Sequence, residues 1–121
     1  MKYDEDNIFA KILRGEIPCD KIYENEFVLS FYDINPQKKI HALIIPRGKY
    51  VDLDDFSTNA SNEEIIGLMK GITTVAKKLG ISSIEGKGYR ALANISDYGG
   101  QEVPHLHFHL FGGEKVGKMV S

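Results

Sequence analysis

Apolar residues recur along the chain with two different spacings, one typical of helices and one typical of strands. Between residues 65 and 79 they follow steps of three and four, which places them on one helical face. Ser61 stands before this run with Glu64 three residues later, the pattern of a capping box, and Gly80 follows it. We therefore predict one long helix that begins after Ser61 and ends before Gly80.

A second, shorter apolar stripe lies near the start of the chain. Ile8, Phe9, Ile12 and Leu13 fall on one helical face, and Gly15 follows them. Asp6 is the residue that we predict to cap this short helix. The stripe requires an apolar surface to cover.

Five segments have the composition of strands: 21–24, 27–32, 40–45, 89–95 and 103–111. Asn25-Glu26 suits a tight hairpin between the first two. Segment 40–45 is apolar except for His41, which predicts a central strand buried on both faces. The pattern predicts an α+β fold with a mainly antiparallel five-stranded sheet, one long helix and one short helix. The uncovered face or an edge strand is then available for a homodimer.

Composition narrows the class of protein. The 121 residues fit one domain, so we expect a single domain over residues 1–121. With 15 Lys and Arg against 17 Asp and Glu, the net charge of -2 argues against a nucleic-acid partner. Cys19 is the single cysteine, which fits a reducing cytoplasm. No apolar run approaches the ~20 residues of a membrane span, so we expect a cytoplasmic protein without a membrane partner.

Three of the four histidines, His105, His107 and His109, stand at alternate positions of the last predicted strand. Alternate side chains of a strand share a face, so we expect these rings to line a cleft. The residues between them are apolar and would anchor the strand to the core: Leu106, Phe108 and Leu110. Purely structural histidines are the alternative, but three in register favour acid-base or nucleophilic chemistry.

A metal site is a competing interpretation of the same three histidines, because imidazole is a common zinc ligand. Alternate strand residues start about 6.6–6.8 Å apart, whereas zinc needs ligand nitrogens within about 2.1 Å. We therefore expect neither a functional metal nor a cofactor. Gly99-Gly100, just before the histidines, is either a plain turn or a nest of backbone N–H groups for a phosphate, and its position favours the phosphate.

Segment 105–111 reads His-φ-His-φ-His-φ-φ, where φ is apolar, and Gly112-Gly113 follow. This pattern resembles the signature of the histidine triad (HIT) family, and the trailing glycines resemble its nucleotide-binding branch. The likeness extends to segments 8–12, 15–18, 31–37, 41–46 and 99–101 and to Asn94.

The resemblance implies a homodimer whose two sheets join, and an enzyme that cleaves AMP or GMP from a leaving group. His107 would attack the α-phosphorus to give a nucleotidyl-histidine, which water then hydrolyses. His109 would act beside the leaving group, and His105 and His41 would orient and polarise the site.

The resemblance also implies two sets of binding residues. The phosphate would be held by Asn94, Gly100, Gln101 and Glu102. The purine nucleoside would contact Phe9, Ile12, Ile17, Phe31, Asp33 and Ile34, with the Asp33 carboxylate accepting from the ribose hydroxyls. Many relatives carry Ser or Thr in place of Glu102, so we expect this carboxylate to turn away from the phosphate or to meet an amine leaving group.

Three functions are consistent with these residues besides a purine nucleoside phosphoramidase. One is a nucleotide-binding interaction module with little turnover. The second is a dinucleoside polyphosphate hydrolase, and the third is a metalloenzyme with histidine ligands.

Overall fold

A computed structural model describes residues 2–119 and contains one five-stranded antiparallel sheet with three helices in that range. The strands are β1 (Lys21–Glu24), β2 (Val28–Tyr32), β3 (Ile40–Pro46), β4 (Arg90–Leu92) and β5 (Phe108–Gly112). They lie in the order β1-β2-β3-β5-β4, so β3 is central, as its apolar sequence predicted. The helices are α1 (Ile8–Leu13), α2 (Leu53–Asn59) and α3 (Asn62–Lys78). The predicted α+β class and antiparallel five-stranded sheet are confirmed.

Each face of the sheet has its own apolar layer. On one face, α3 packs against β2 and β3, and the shared core includes Val28, Ile44, Leu68 and Leu110. The opposite face carries the alternate residues of β2 and β3, and α1 covers it with Phe9. That layer comprises Phe9, Leu29, Phe31, Leu43 and Ile45. The short helix therefore covers one part of this face, and the rest remains open as a cleft.

Two details of the helices differ from the prediction. The side chain that caps α1 is Asn7, whose oxygen accepts from the Ala10 N–H, and not Asp6. Helix α2 was not predicted, because its seven residues bury a single side chain, that of Phe56. A helix of two turns with one buried position has no readable apolar period. In the part of the chain that the structure describes, no helix has the length and apolarity to cross a membrane.

The last two strands are shorter than predicted. Strand β4 covers Arg90–Leu92 where 89–95 was expected, and β5 begins at Phe108 where 103 was expected. Segment 103–107 instead forms bonds outside the sheet: the Leu106 N–H donates to the Tyr50 carbonyl at 2.8 Å, and the His105 N–H donates to the Val103 carbonyl at 2.9 Å. The predicted single strand of three histidines is therefore wrong, since only His109 belongs to β5.

The predicted capping box of α3 is present. The Ser61 hydroxyl accepts from the Glu64 N–H at 3.1 Å, and the Glu64 carboxylate accepts from the Ser61 N–H at 3.0 Å. The same carboxylate accepts from the Tyr50 hydroxyl at 2.9 Å. The cap thus also ties α3 to the segment that holds Leu106.

We expect Ser61→Ala to lower the free energy of unfolding by about 1 kcal/mol, because the Glu64 N–H loses its acceptor. Urea unfolding measures the change. Ser57→Ala is the matched control, since Ser57 is exposed within α2 and its hydroxyl donates only to the Asp54 carbonyl, at 3.3 Å. Equal effects of the two substitutions would contradict the role of the cap.

Candidate active site

The open part of the α1 face is a cleft of about 790 Å³ between α1, the ends of β2 and β3, β5 and the loop before the histidines. All six residues expected at the nucleoside line it: Phe9, Ile12, Ile17, Phe31, Asp33 and Ile34. So do three of the four histidines, His41, His107 and His109, and three of the four phosphate candidates, Asn94, Gly100 and Glu102. Two predicted site residues, His105 and Gln101, do not line the cleft.

His107 is held in one orientation by its own backbone. Its Nδ1 atom lies 2.7 Å from the carbonyl oxygen of His105. A carbonyl oxygen can only accept, so Nδ1 carries the proton, and in the neutral ring the Nε2 atom keeps its lone pair. The ring of Phe9 packs edge-on against this imidazole, with centroids 4.9 Å apart. The result is a positioned imidazole at the cleft with an unprotonated nitrogen.

His105 does not face the cleft, which corrects the prediction that it shares a face with the other two. Its ring is fully buried, and both nitrogens have protein partners. Nε2 lies 2.9 Å from the Pro46 carbonyl oxygen, and Nδ1 lies 2.5 Å from the Tyr3 hydroxyl. His105 points away from His107 and His109 because segment 103–107 is not part of the sheet. The alternation of side chains that a strand imposes begins only with β5, at Phe108. The three rings therefore cannot share one metal ion.

A second pair of imidazoles forms a directed chain of hydrogen bonds. The backbone N–H of Gln37 donates to Nδ1 of His41 at 3.1 Å, so the proton of neutral His41 lies on Nε2. This Nε2 is 2.9 Å from Nδ1 of His109 and donates to it. His109 then carries its own proton on Nε2. The ring of Phe111 stacks parallel to His109 with centroids 5.7 Å apart and supports this geometry.

Asp33 joins this pair, with a carboxylate oxygen 3.4 Å from Nε2 of His41. The ligand atoms of Asp33, His41 and His109 all lie within 4.8 Å of one another, close enough for a metal ion. The hydrogen bonds do not suit a metal, because the Gln37 N–H occupies the lone pair of Nδ1 and leaves the proton on the Nε2 that would have to ligate. The arrangement fits a hydrogen-bond relay between neutral rings.

Burial lowers the pKa of all four histidines below the ordinary value. The pKa of His105 and that of His109 fall to about 4, and the neighbouring imidazoles of His107 and His41 add to the effect at His109. At His107 burial also lowers the pKa, while its bond to the His105 carbonyl and the charges of Asp33 and Glu102 act in the opposite direction. All four rings are therefore neutral near pH 7, the state in which Nε2 of His107 is a nucleophile.

The N–H groups of Gly100 and Gln101 donate within the loop, in contrast to the expected phosphate nest at Gly100. The Gly100 N–H donates to the Asp97 carbonyl, and the Gln101 N–H donates to the Ser96 carbonyl, both at 3.0 Å. A Cβ atom on Gly99 would lie 2.3 Å from the Ile95 carbonyl oxygen, and Gly100 has a φ of +77°. The glycines are therefore required by the tight turn.

Gln101 is a brace of the loop in this structure. Its side-chain oxygen accepts from the Ser96 N–H at 2.9 Å. Its amide nitrogen donates to the carbonyls of Val51 and Val103, at 2.6 and 3.0 Å. With these bonds the amide has no donor left for a phosphate.

Sequence reasoning assigned no role to Gln37, Tyr3 or Phe111. The Gln37 contact with His41 is made by a backbone N–H, which side-chain identity does not reveal. Tyr3 lies 102 residues from His105 in sequence, and no motif connects the two. Phe111 is the last residue of the histidine signature, where the pattern asks only for an apolar residue.

Comparisons with known proteins agree with the fold. The family model described as HIT domain matches residues 14–116 of the sequence. A HIT-like protein of Azospirillum brasilense is 50% identical over 119 residues, 98% of this chain and 95% of that protein. The purine nucleoside phosphoramidase of Escherichia coli K12 is 43% identical over 117 residues, 97% of this chain and 95% of that enzyme. A HIT family hydrolase from Clostridium thermocellum has a TM-score of 0.85 and 38% identity, covering 98% of this chain and 99% of its own. The chain belongs to the HIT family, and the family prediction is confirmed.

We expect the stability of the protein to fall as pH decreases from 6.5 towards 4. The folded pKa of His109 is depressed to about 4, so in this window the unfolded chain binds a proton that the folded protein does not. His109→Asn retains an acceptor for His41 and should flatten the dependence by at most about 1.4 kcal/mol per pH unit. Urea unfolding at several pH values measures both slopes. Identical slopes would contradict a neutral, half-buried His109.

Proposed function

We propose that this protein is a hydrolase of purine nucleoside phosphoramidates that works through a nucleotidyl-histidine on His107. The observation that carries the proposal is the hydrogen bond from Nδ1 of His107 to the His105 carbonyl, which leaves the Nε2 lone pair of a neutral ring at the cleft. The similarity to the E. coli phosphoramidase supports the substrate class.

In the first step, Nε2 of His107 forms a bond to the α-phosphorus and the bond from phosphorus to nitrogen breaks. The leaving nitrogen keeps the electron pair and takes up a proton from the solvent at the open cleft, while the Nε2–H of neutral His109 donates a hydrogen bond to the reacting phosphoryl group. The phosphorylated ring becomes positively charged, and its Nδ1–H bond to the His105 carbonyl strengthens with that charge. In the second step, a water oxygen bonds to phosphorus and the bond from phosphorus to Nε2 of His107 breaks, with its electron pair returning to the ring. The nucleoside monophosphate leaves, and the proton of the attacking water passes to solvent.

Binding of the nucleotide is assigned to the two sides of the cleft. The apolar side of Phe9, Ile12, Ile17 and Phe31 takes the purine. The Asp33 carboxylate accepts from the ribose hydroxyls, with Ile34, which is 86% exposed, on the rim beside it. At this position Asp33 also keeps its interaction with His41, which links nucleoside binding to the relay.

The phosphate lies, in this proposal, between Asn94, His109 and the backbone after Gln101. Within residues 2–119 the N–H groups of Glu102 and Val103 have no protein acceptor. We assign phosphate binding to these two N–H groups, because those of Gly100 and Gln101 already donate within the turn. Glu102 is exposed at the cleft, and its carboxylate repels a further phosphate but attracts a protonated amine. A phosphoramidate is thus favoured over a dinucleoside polyphosphate.

Incubation of the protein with adenosine 5′-phosphoramidate should release AMP, and His107→Ala should reduce turnover by a factor of about 10³ or more, because the covalent step is lost. A quenched single-turnover reaction of the native protein should contain an AMP adduct on His107, measured by mass spectrometry. His107→Ala should keep the circular dichroism spectrum of the native protein.

Several results would contradict this function. Full activity of His107→Ala would remove the nucleophile from the proposal. AMP binding without AMP release in the native protein would favour a nucleotide-binding module. Inactivation by chelation with recovery on zinc addition would favour a metalloenzyme.

We further propose that the protein is a homodimer in which two sheets join. Strand β4 is an edge of the sheet with three residues paired on one side only, and α3 exposes Ile66 and Met69 to about half of their area. Covering such an edge and such apolar side chains favours self-association. Sedimentation velocity at micromolar concentration should give the mass of two chains. A single species with the mass of one chain would contradict the dimer.

A further inference from the structure

The segment before α1 contacts His105 through Tyr3, and neither residue lines the cleft. Tyr3 is half-buried, and its hydroxyl lies 2.5 Å from Nδ1 of His105. Its ring meets the imidazole edge-on, with centroids 5.6 Å apart and planes at 73°. This contact joins the start of the chain to the histidine segment near its end.

The direction of each hydrogen bond around His105 follows from its partners. The Pro46 carbonyl can only accept, so Nε2 of His105 carries the ring proton. Nδ1 of the neutral ring must then accept, and the Tyr3 hydroxyl donates to it. The ring is thereby held at both nitrogens, inside a site where it has no exposed surface.

The backbone of the same residue supports the nucleophile. The His105 carbonyl accepts the Nδ1 proton of His107 at 2.7 Å. The buried His105 ring fills a closed space, so packing couples the position of the ring to that of its own backbone. Segment 103–107 lies outside the sheet, and single hydrogen bonds hold its backbone, such as that from the Leu106 N–H to the Tyr50 carbonyl.

We propose that Tyr3 is a positioning residue: its hydroxyl fixes the ring of His105, and through the His105 carbonyl it fixes the tautomer and direction of the His107 imidazole. The inference rests on the proposed function for its effect on turnover, but its structural part can be measured without any substrate. Tyr3 touches neither the cleft nor the proposed reacting atoms, so it is not a catalytic residue.

Tyr3→Phe removes the donor and keeps the ring. The segment stays in place without the hydroxyl, since Asn7 donates to the Asp4 carbonyl with its side chain at 2.7 Å and with its N–H at 3.2 Å. The Glu5 carboxylate also accepts from Lys49 at 2.9 Å. What changes is the environment of His105, whose buried Nδ1 loses its donor, a deficit that favours rotation of the ring.

We expect Tyr3→Phe to lower kcat for adenosine 5′-phosphoramidate by about 3- to 10-fold with KM unchanged within about twofold, because ground-state contacts with the nucleotide remain. Tyr23→Phe is the matched control. It also removes a phenol hydroxyl with one side-chain partner, Asn25 at 3.2 Å, but on edge strand β1. The control should keep the native kcat. An unchanged kcat in Tyr3→Phe, or an equal loss in both variants, would overturn the inference.

Imidazole ¹⁵N NMR tests the same inference apart from activity. In the native protein, the long-range ¹H–¹⁵N spectrum should show the proton of His105 on Nε2 and that of His107 on Nδ1. In Tyr3→Phe the His105 Nδ1 resonance should move towards that of a free acceptor, and the His107 Nδ1 proton should exchange faster with water. His107 signals identical to those of the native protein would overturn the positioning role, even if thermal stability falls. A native protein without phosphoramidase activity would instead refute the proposed function, and the NMR result would still decide the role of Tyr3.

Discussion

The hydrogen bond from the His107 imidazole to the carbonyl of His105 is the interaction on which the candidate site depends. It uses a backbone acceptor, so the tautomer of the ring is set by the path of the chain. That path exists because segment 103–107 leaves the sheet and is held from outside it, by Tyr50 and Gln101. A regular strand would direct His107 through side-chain alternation alone and would give Nδ1 no such acceptor.

The four histidines have the same side-chain chemistry but different roles, because their burial and their hydrogen-bond partners differ. His105 is enclosed and has both nitrogens occupied, so it contributes shape and a carbonyl. The N–H of Gln37 donates to Nδ1 of His41 and so fixes the His41 proton on Nε2, which in turn donates to Nδ1 of His109. His107 keeps one nitrogen for the cleft. Burial lowers the pKa of each histidine and so keeps all of these rings neutral, which preserves each donor and acceptor in its place near pH 7.

The fold provides this arrangement with few elements. Alternation along β2 and β3 sends one set of apolar residues to α3 and the other to α1. Since α1 has only six residues, it covers only part of this face of the sheet, and the cleft forms beside the helix. The same alternation places His41 and Leu43 on the cleft side of the central strand, with Ala42 and Ile44 in the core below α3. Site and core are thus opposite faces of the same strands.

The sequence by itself determined the class of fold, the helix after Ser61, the central position of 40–45 and the family, because these depend on local periods and on a contiguous motif. It also placed Phe9, Asp33, His41 and His107 among the residues that meet in the cleft. Only the tertiary structure decided that His105 turns inwards, that Gln101 braces its loop and that Tyr3 and Gln37 support the histidines. Those roles arise from hydrogen bonds to backbone groups and from contacts across up to 102 residues of chain, and neither leaves a pattern in the order of side chains.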